Sequence, residues 1–168
     1  MAADLELHLS GGTTNTNPNA ALGGARSTQA GGIVPEAATA NSLFDDVSGA
    51  EEQAGDTEYR GVYLYNAGNV SAENTVVWLS ANTADTGTQI AIALADEAVN
   101  TQMETIANEN TAPSGPSFTE PATEGAGLSI GTIPAGQFKG LWLRRTVTAG
   151  AGASNDSFTI SSAFDTAP

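Results

Sequence analysis

The feature that most constrains this chain is a period of two. From Glu58 onward, apolar side chains recur at alternate positions in short runs separated by turn residues, the pattern of half-buried strands. Tyr59–Tyr65 is aromatic and β-branched and stops at Asn66-Ala67-Gly68-Asn69. Thr75–Ser80 follows, ending before Ala81-Asn82-Thr83. Ile90, Ile92 and Leu94 then alternate with Ala91, Ala93 and Ala95, giving one bulky and one small face. Leu128–Ile133 leads into Pro134-Ala135-Gly136, where proline presets φ and glycine relaxes the exit of a tight turn. Phe138–Val147 puts Leu141 and Leu143 opposite Trp142 and Arg144, and the last run sets Phe158, Ile160 and Phe164 on one face with Ser162. Residues 96–125 carry one short helical pattern, Thr101–Ala107, before a loop punctuated by Pro113, Gly115, Pro116 and Pro121. Six short strands with almost no helix predict an all-β fold, an antiparallel β-sandwich of Ig-like or jelly-roll topology.

The first 57 residues read differently. They hold nine of the chain's 31 Leu, Ile, Val and Phe residues, six of them gathered in two islands separated by glycine clusters. Leu5, Leu7 and Leu9 alternate with Glu6 and His8 as a short strand would. Leu43, Phe44 and Val47 surround Asp45-Asp46 as a single helical turn or a docking loop. Residues 1–57 are therefore expected to be an extended arm that takes its order from assembly, on its own domain or a neighbour's, and 58–168 to be the sandwich.

Charge narrows the function. The formal net charge is −14, from 19 acidic residues against four arginines and one lysine. Such a surface repels phosphate backbones, which argues against a nucleic-acid partner. No stretch approaches the roughly 20 apolar residues of a membrane span, and the segment Met1–His8 lacks the basic and apolar regions of a signal peptide. With no cysteine, disulfides, zinc–thiolate sites and thiol nucleophiles are excluded.

Few residues suggest chemistry. His8, the single histidine, is expected on the outward face of its strand, with no nucleophile motif beside it. Asp45-Asp46, Glu51-Glu52 and Asp96-Glu97 read as solvated loop acids, since no Asp-x-Asp-x-Asp-Gly calcium loop is present. No glycine-rich stretch has the phosphate-loop or dinucleotide spacing. No catalytic residue, cofactor or metal is expected. Arg144 and Arg145, near Trp142 and Lys139, form the one cationic spot and point to opposite faces of a strand. Either one arginine pairs with acids of an adjacent strand or stacks beside Trp142, or the pair meets the acidic arm of a neighbouring copy.

Three stretches carry a family likeness: Ile106-Ala107-Asn108-Glu109-Asn110-Thr111-Ala112-Pro113-Ser114-Gly115, then Leu128–Gly136, then Leu141–Val147. Together with Leu5–Gly12, Asn17–Ala20 and Leu43–Gly49, they resemble virion structural proteins of tailed bacteriophages. The placement preferred within that group is the capsid decoration, or cement, protein. The resemblance implies a non-enzymatic subunit, made in the bacterial cytoplasm, that stabilises the capsid exterior. It implies two partners, the major capsid protein and copies of itself, as a trimer. Leu5, Leu7, Leu9, Leu43, Phe44, Trp142, Arg144 and Arg145 are the candidate assembly contacts. Two other readings stay open: a tail, neck or baseplate component, and a host-surface binding module that uses the 96–125 loop.

Overall fold

The computed structural model describes residues 2–12, 20–29, 31–37, 41–152 and 156–166. Two antiparallel sheets pack face to face as a β-sandwich. One sheet has the order β1 (Leu5–Leu9), β3 (Asp56–Asn66), β8 (Phe138–Val147), β5 (Thr88–Leu94). The other has the order β7 (Leu128–Ile133), β4 (Ala72–Ala81), β9 (Thr159–Thr166). From β3 to β9, each successive strand of the sandwich lies in the opposite sheet, so no two consecutive strands pair. The turn at Pro134-Ala135-Gly136 accordingly carries the chain from β7 in one sheet to β8 in the other, with Gly136 at φ +74°.

Alternation decides what each face buries. Val62, Leu141, Leu143, Ile90, Ile92 and Leu9 meet Val77 and Leu79 of the second sheet in the main core. The opposite face of the four-stranded sheet is also covered, by a two-stranded ribbon of β2 (Gly23–Gly24) and β6 (Met103–Thr105). Beneath it Tyr63, Trp142, Met103, Ile106 and Ala95 form a second core. The ribbon can come this close because its floor is glycine. A Cβ on Gly61 would lie 2.6 Å from Met103 Sδ, and one on Gly23 (φ +83°) would lie 1.9 Å from the Glu104 carbonyl oxygen.

Two expectations are corrected here. Thr101–Ala107 contains no helix; Met103–Thr105 is β6, paired antiparallel with Gly23–Gly24. His8 does not face solvent but is 6% exposed, because the face it shares with Tyr63 and Tyr65 is covered by the chain around Arg26. β3 begins at Asp56, two residues inside the segment expected to be arm, and β1 of that segment is itself an edge strand of the four-stranded sheet. The described part of that segment lies on the same chain. β1 pairs with β3 from Leu5↔Asn66 to Leu9↔Val62, and a short helix α1 (Gly49–Ala54) is capped by Ser48 and Glu51 in a reciprocal box.

Candidate functional site

Where residues 43–45 cross the start of β3, the structure gathers five charged side chains. Glu58 and Arg60 alternate with Tyr59 on β3, so they share the inward face with Val62, and Arg145 sits directly opposite Glu58 on β8. Glu58 is 2% exposed, Arg60 4% and Arg145 8%. Arg145 Nε donates to Glu58 Oε2 at 2.6 Å, Nη2 makes a second contact with the same oxygen, and Nη1 donates to the Asp45 carbonyl at 2.7 Å. Arg60 Nε donates to the Leu43 carbonyl at 3.1 Å while Nη2 lies 2.6 Å from Glu109 Oε2. Asp45 Oδ1 approaches both guanidinium groups, at 3.6 Å and 3.5 Å.

Phe44 completes the arrangement. Its ring lies 5.5 Å from the Arg60 guanidinium and 4.9 Å from that of Arg145, and it meets Phe158 edge-on at 6.3 Å. Leu43, Phe44 and Asp45 are thus held by backbone carbonyls, a ring and a carboxylate at once. Burial pushes the Glu58 carboxyl above its ordinary value, against the pull of Arg145 and Arg60. The carboxylate oxygens of Asp45, Glu58 and Glu109 lie within 4.8 Å of one another, spacing that suits a metal ion. The cation they converge on is already a side chain: Arg60 Nη2 contacts all three. Two guanidinium groups among three carboxylates make a latch, not a coordination sphere.

On the other face, His8 Nδ1 is 3.0 Å from Arg26 Nη1 and Nε2 is 2.9 Å from Glu6 Oε2. Nδ1 also lies 3.4 Å from the Ser27 carbonyl, and since a guanidinium only donates, the shorter Arg26 contact casts Nδ1 as acceptor and Nε2 as the donor to Glu6. The Arg26 guanidinium lies 3.9 Å from the Tyr65 ring, and the imidazole meets the same ring edge-on. The Tyr63 hydroxyl donates to the Gly24 carbonyl and accepts from Met103 N at 2.8 Å. Burial raises its pKa to about 12, opposed by the Met103 N–H and reinforced by Glu97. Lys139 Nζ donates to the carbonyls of Ala95, at 2.7 Å, and Glu97.

The candidate contacts from sequence are dispersed by this geometry. Leu43, Phe44 and Arg145 come together at the latch. Leu9 is buried in the main core, and Leu5 and Leu7 are half-buried in β1. Trp142 is fully enclosed in the second core, and Arg144, half-buried, has its guanidinium 5.2 Å from the Phe118 ring. The sequence reading missed Glu58, Arg60 and Glu109. The signal for the first two was present: two charges at i and i+2 in phase with Val62 and Leu64, on a face that must be buried. Compared with known proteins, the chain matches no family model, and no curated protein or solved structure is significantly similar to it.

Proposed function

We propose that this chain is a non-enzymatic structural protein of a bacteriophage virion, decorating and stabilising the capsid exterior through contacts with the major capsid protein and with copies of itself in a trimer. The observation that carries the reading is how the chemistry-bearing side chains are used. Its one histidine is locked between Glu6 and Arg26, and its buried carboxylate is latched by two arginines. Those groups bind the chain to itself, which suits a subunit whose task is to hold shape. The likeness of Leu5–Gly12, Leu128–Gly136 and Leu141–Val147 to tailed-phage virion proteins supplies the setting, and a net charge of −14 suits a surface turned away from packaged DNA.

Two measurements test it. Light scattering of the purified full chain is expected to give the trimer mass, and the labelled chain is expected to co-sediment with empty capsids of the phage that encodes it. A monomer that leaves those capsids bare sinks the reading.

A further inference from the structure

The four outer edges of the two sheets are treated unequally. β1 is covered by the chain beyond it: Leu9 N donates to the Gly32 carbonyl and Val34 N to the Leu7 carbonyl, both at 2.7 Å. β5 is covered by Thr119, which exchanges two backbone hydrogen bonds with Ile92, and by the Asn82 amide, which accepts from Ile90 N and donates to Ile90 O. β7 is six residues long and its pairing with β4 shifts around Gly131, a bulge of the kind that blunts an edge. β9 is longer, eight residues, and although its pairing with β4 also shifts, between Glu73 and Val76 and between Leu79 and Ala81, the extra residues there belong to β4, and among the described residues nothing covers its outer side. Among the described residues, every hydrogen bond it makes goes to β4. Its sequence, Thr159-Ile160-Ser161-Ser162-Ala163-Phe164-Asp165-Thr166, contains no lysine, arginine or proline.

The amino-terminal half of β9 forms one wall of a cleft of about 1160 Å³ whose other wall is residues 33–37 and 41–47. Ile33 and Val47, the two large apolar residues most open to solvent, stand on that opposite wall. The charge around the cleft has one sign. Glu36, Asp46 and Glu52 line it and, among the described residues, form no ion pair, while the single basic lining residue, Arg145, is latched to Glu58.

We propose that the outer edge of β9 is a strand-addition site that takes an extended segment of a partner chain, with alternating apolar residues and lysine or arginine at its ends. Unpaired backbone groups supply the ladder, the apolar walls read alternate side chains, and the acidic rim selects the flanks. A second copy of this chain is a poor occupant. It brings a charge of −14, and its five basic side chains are already engaged by Tyr65, Glu109, Glu58, Phe118 and the carbonyls of Ala95 and Glu97. The site does not depend on where in a particle the chain sits.

The test uses the full chain and a capped heptapeptide of alternating valine and threonine with a lysine at each end. Hydrogen exchange by mass spectrometry is expected to slow by about tenfold or more across 159–166 when the peptide is added, with less change in β7. A peptide ending in glutamates, or the lysine peptide with the doubly reversed chain Glu36→Lys/Asp46→Lys, is expected to bind about tenfold more weakly, a difference that shrinks in salt. Both residues are exposed, so the melting temperature of that variant reports whether its fold is intact. No added protection in 159–166 at millimolar peptide overturns the proposal. So does equal binding by a peptide with proline at two adjacent central positions, because in either register one of the two lacks the N–H that must point at β9. A free chain that is self-associated, as a dimer or as the trimer proposed above, with 159–166 already protected makes the occupant a second copy and overturns the choice of partner.

Discussion

The described residues of 56–166 and those of 2–54 obtain their order by different means. β3 and β8 pair in unbroken register over ten residues, from Asp56↔Val147 to Tyr65↔Phe138, so each bond there is supported by its neighbours. The amino-terminal segment is fixed at separated points, among them five pairs along β1, the backbone bonds of Ser10 and Ala21 to Gly61, a ribbon of two glycines, and the latch at Leu43–Asp45. Yet Leu9, Ala21 and Phe44 belong to the same core as Val62, Leu141 and Ile92. A segment with little regular structure can therefore still be integral, because a few buried side chains at well-chosen points complete a core that the strands alone leave open.

Removing the segment tests that view most severely. Deleting residues 1–47 strips β1 from the edge of β3, takes Leu9, Ala21 and Phe44 from the main core, and leaves Arg60 and Arg145 without Asp45. The combined loss is of the order of a whole domain's stability, about 5–15 kcal/mol, so the truncated chain is expected to lack a cooperative melt by circular dichroism. A truncated chain that melts within a few degrees of the full one shows instead that the sandwich stands alone and that the segment is an arm.

Breaking the latch from the basic side is the next largest effect. Arg145→Met leaves Glu58 with only the more distant Arg60, and is expected to lower the unfolding free energy by about 3–5 kcal/mol in a denaturant titration. Replacing both partners, Glu58→Leu with Arg145→Met, is expected to recover most of that, since an apolar pair leaves no stranded charge. A double variant as unstable as the single one places the cost in lost packing around Phe44.

On the opposite face, Tyr63→Phe deprives the Gly24 carbonyl and the Met103 N–H of their partner without changing the ring. A cost of about 1–3 kcal/mol is expected, read as a lower chemical-denaturation midpoint at constant slope. An unchanged midpoint means that the β2–β6 ribbon is held by packing on Trp142, not by the hydroxyl.

How much of this was legible follows the same division. Leu128–Ile133 and Phe138–Val147 are strands with the bounds their patterns suggest, since local alternation and the Pro134–Gly136 turn specify them. Thr101–Ala107 misled because β6 is made by its partner: Gly23–Gly24 lies some 80 residues earlier and carries no periodic signal. His8 misled because one sheet face was assigned to solvent, and nothing near His8 in sequence announces that Arg26 covers it. The latch was half legible. Glu58 and Arg60 stand in the apolar phase of β3, but their meeting with Asp45 and Glu109 depends on a crossing that no local pattern encodes.

The smallest effects are in pH dependence, where Glu58 acts in one direction and Asp156 and Glu51, the latter held down by its hydrogen bonds with Ser48, act in the other. For Glu58, burial raises the folded pKa above its ordinary 4.5. The folded state therefore holds this proton more tightly than the unfolded chain, and stability falls as pH rises from about the unfolded value through the raised one. For Asp156, burial pushes upward but is outweighed by backbone N–H donors from Asp85, Ala84 and Ser157, and the net direction is down from 3.8. Its contribution is present above the unfolded value and is lost as pH falls through the lowered one. The net charge adds to the first trend, since repulsion among 19 acids grows as they ionise. Melting temperature is thus expected to rise as pH falls from 7 toward about 4.5 and to fall again below 3.8. Glu58→Gln removes the titrating group and is expected to flatten the decline just above pH 4.5. Asp156→Asn is expected to reduce the drop below pH 3.8, to which Glu51 also contributes, and to leave the other limb alone. An unaltered upper limb in Glu58→Gln means that the two arginines, not burial, set the state of that carboxylate.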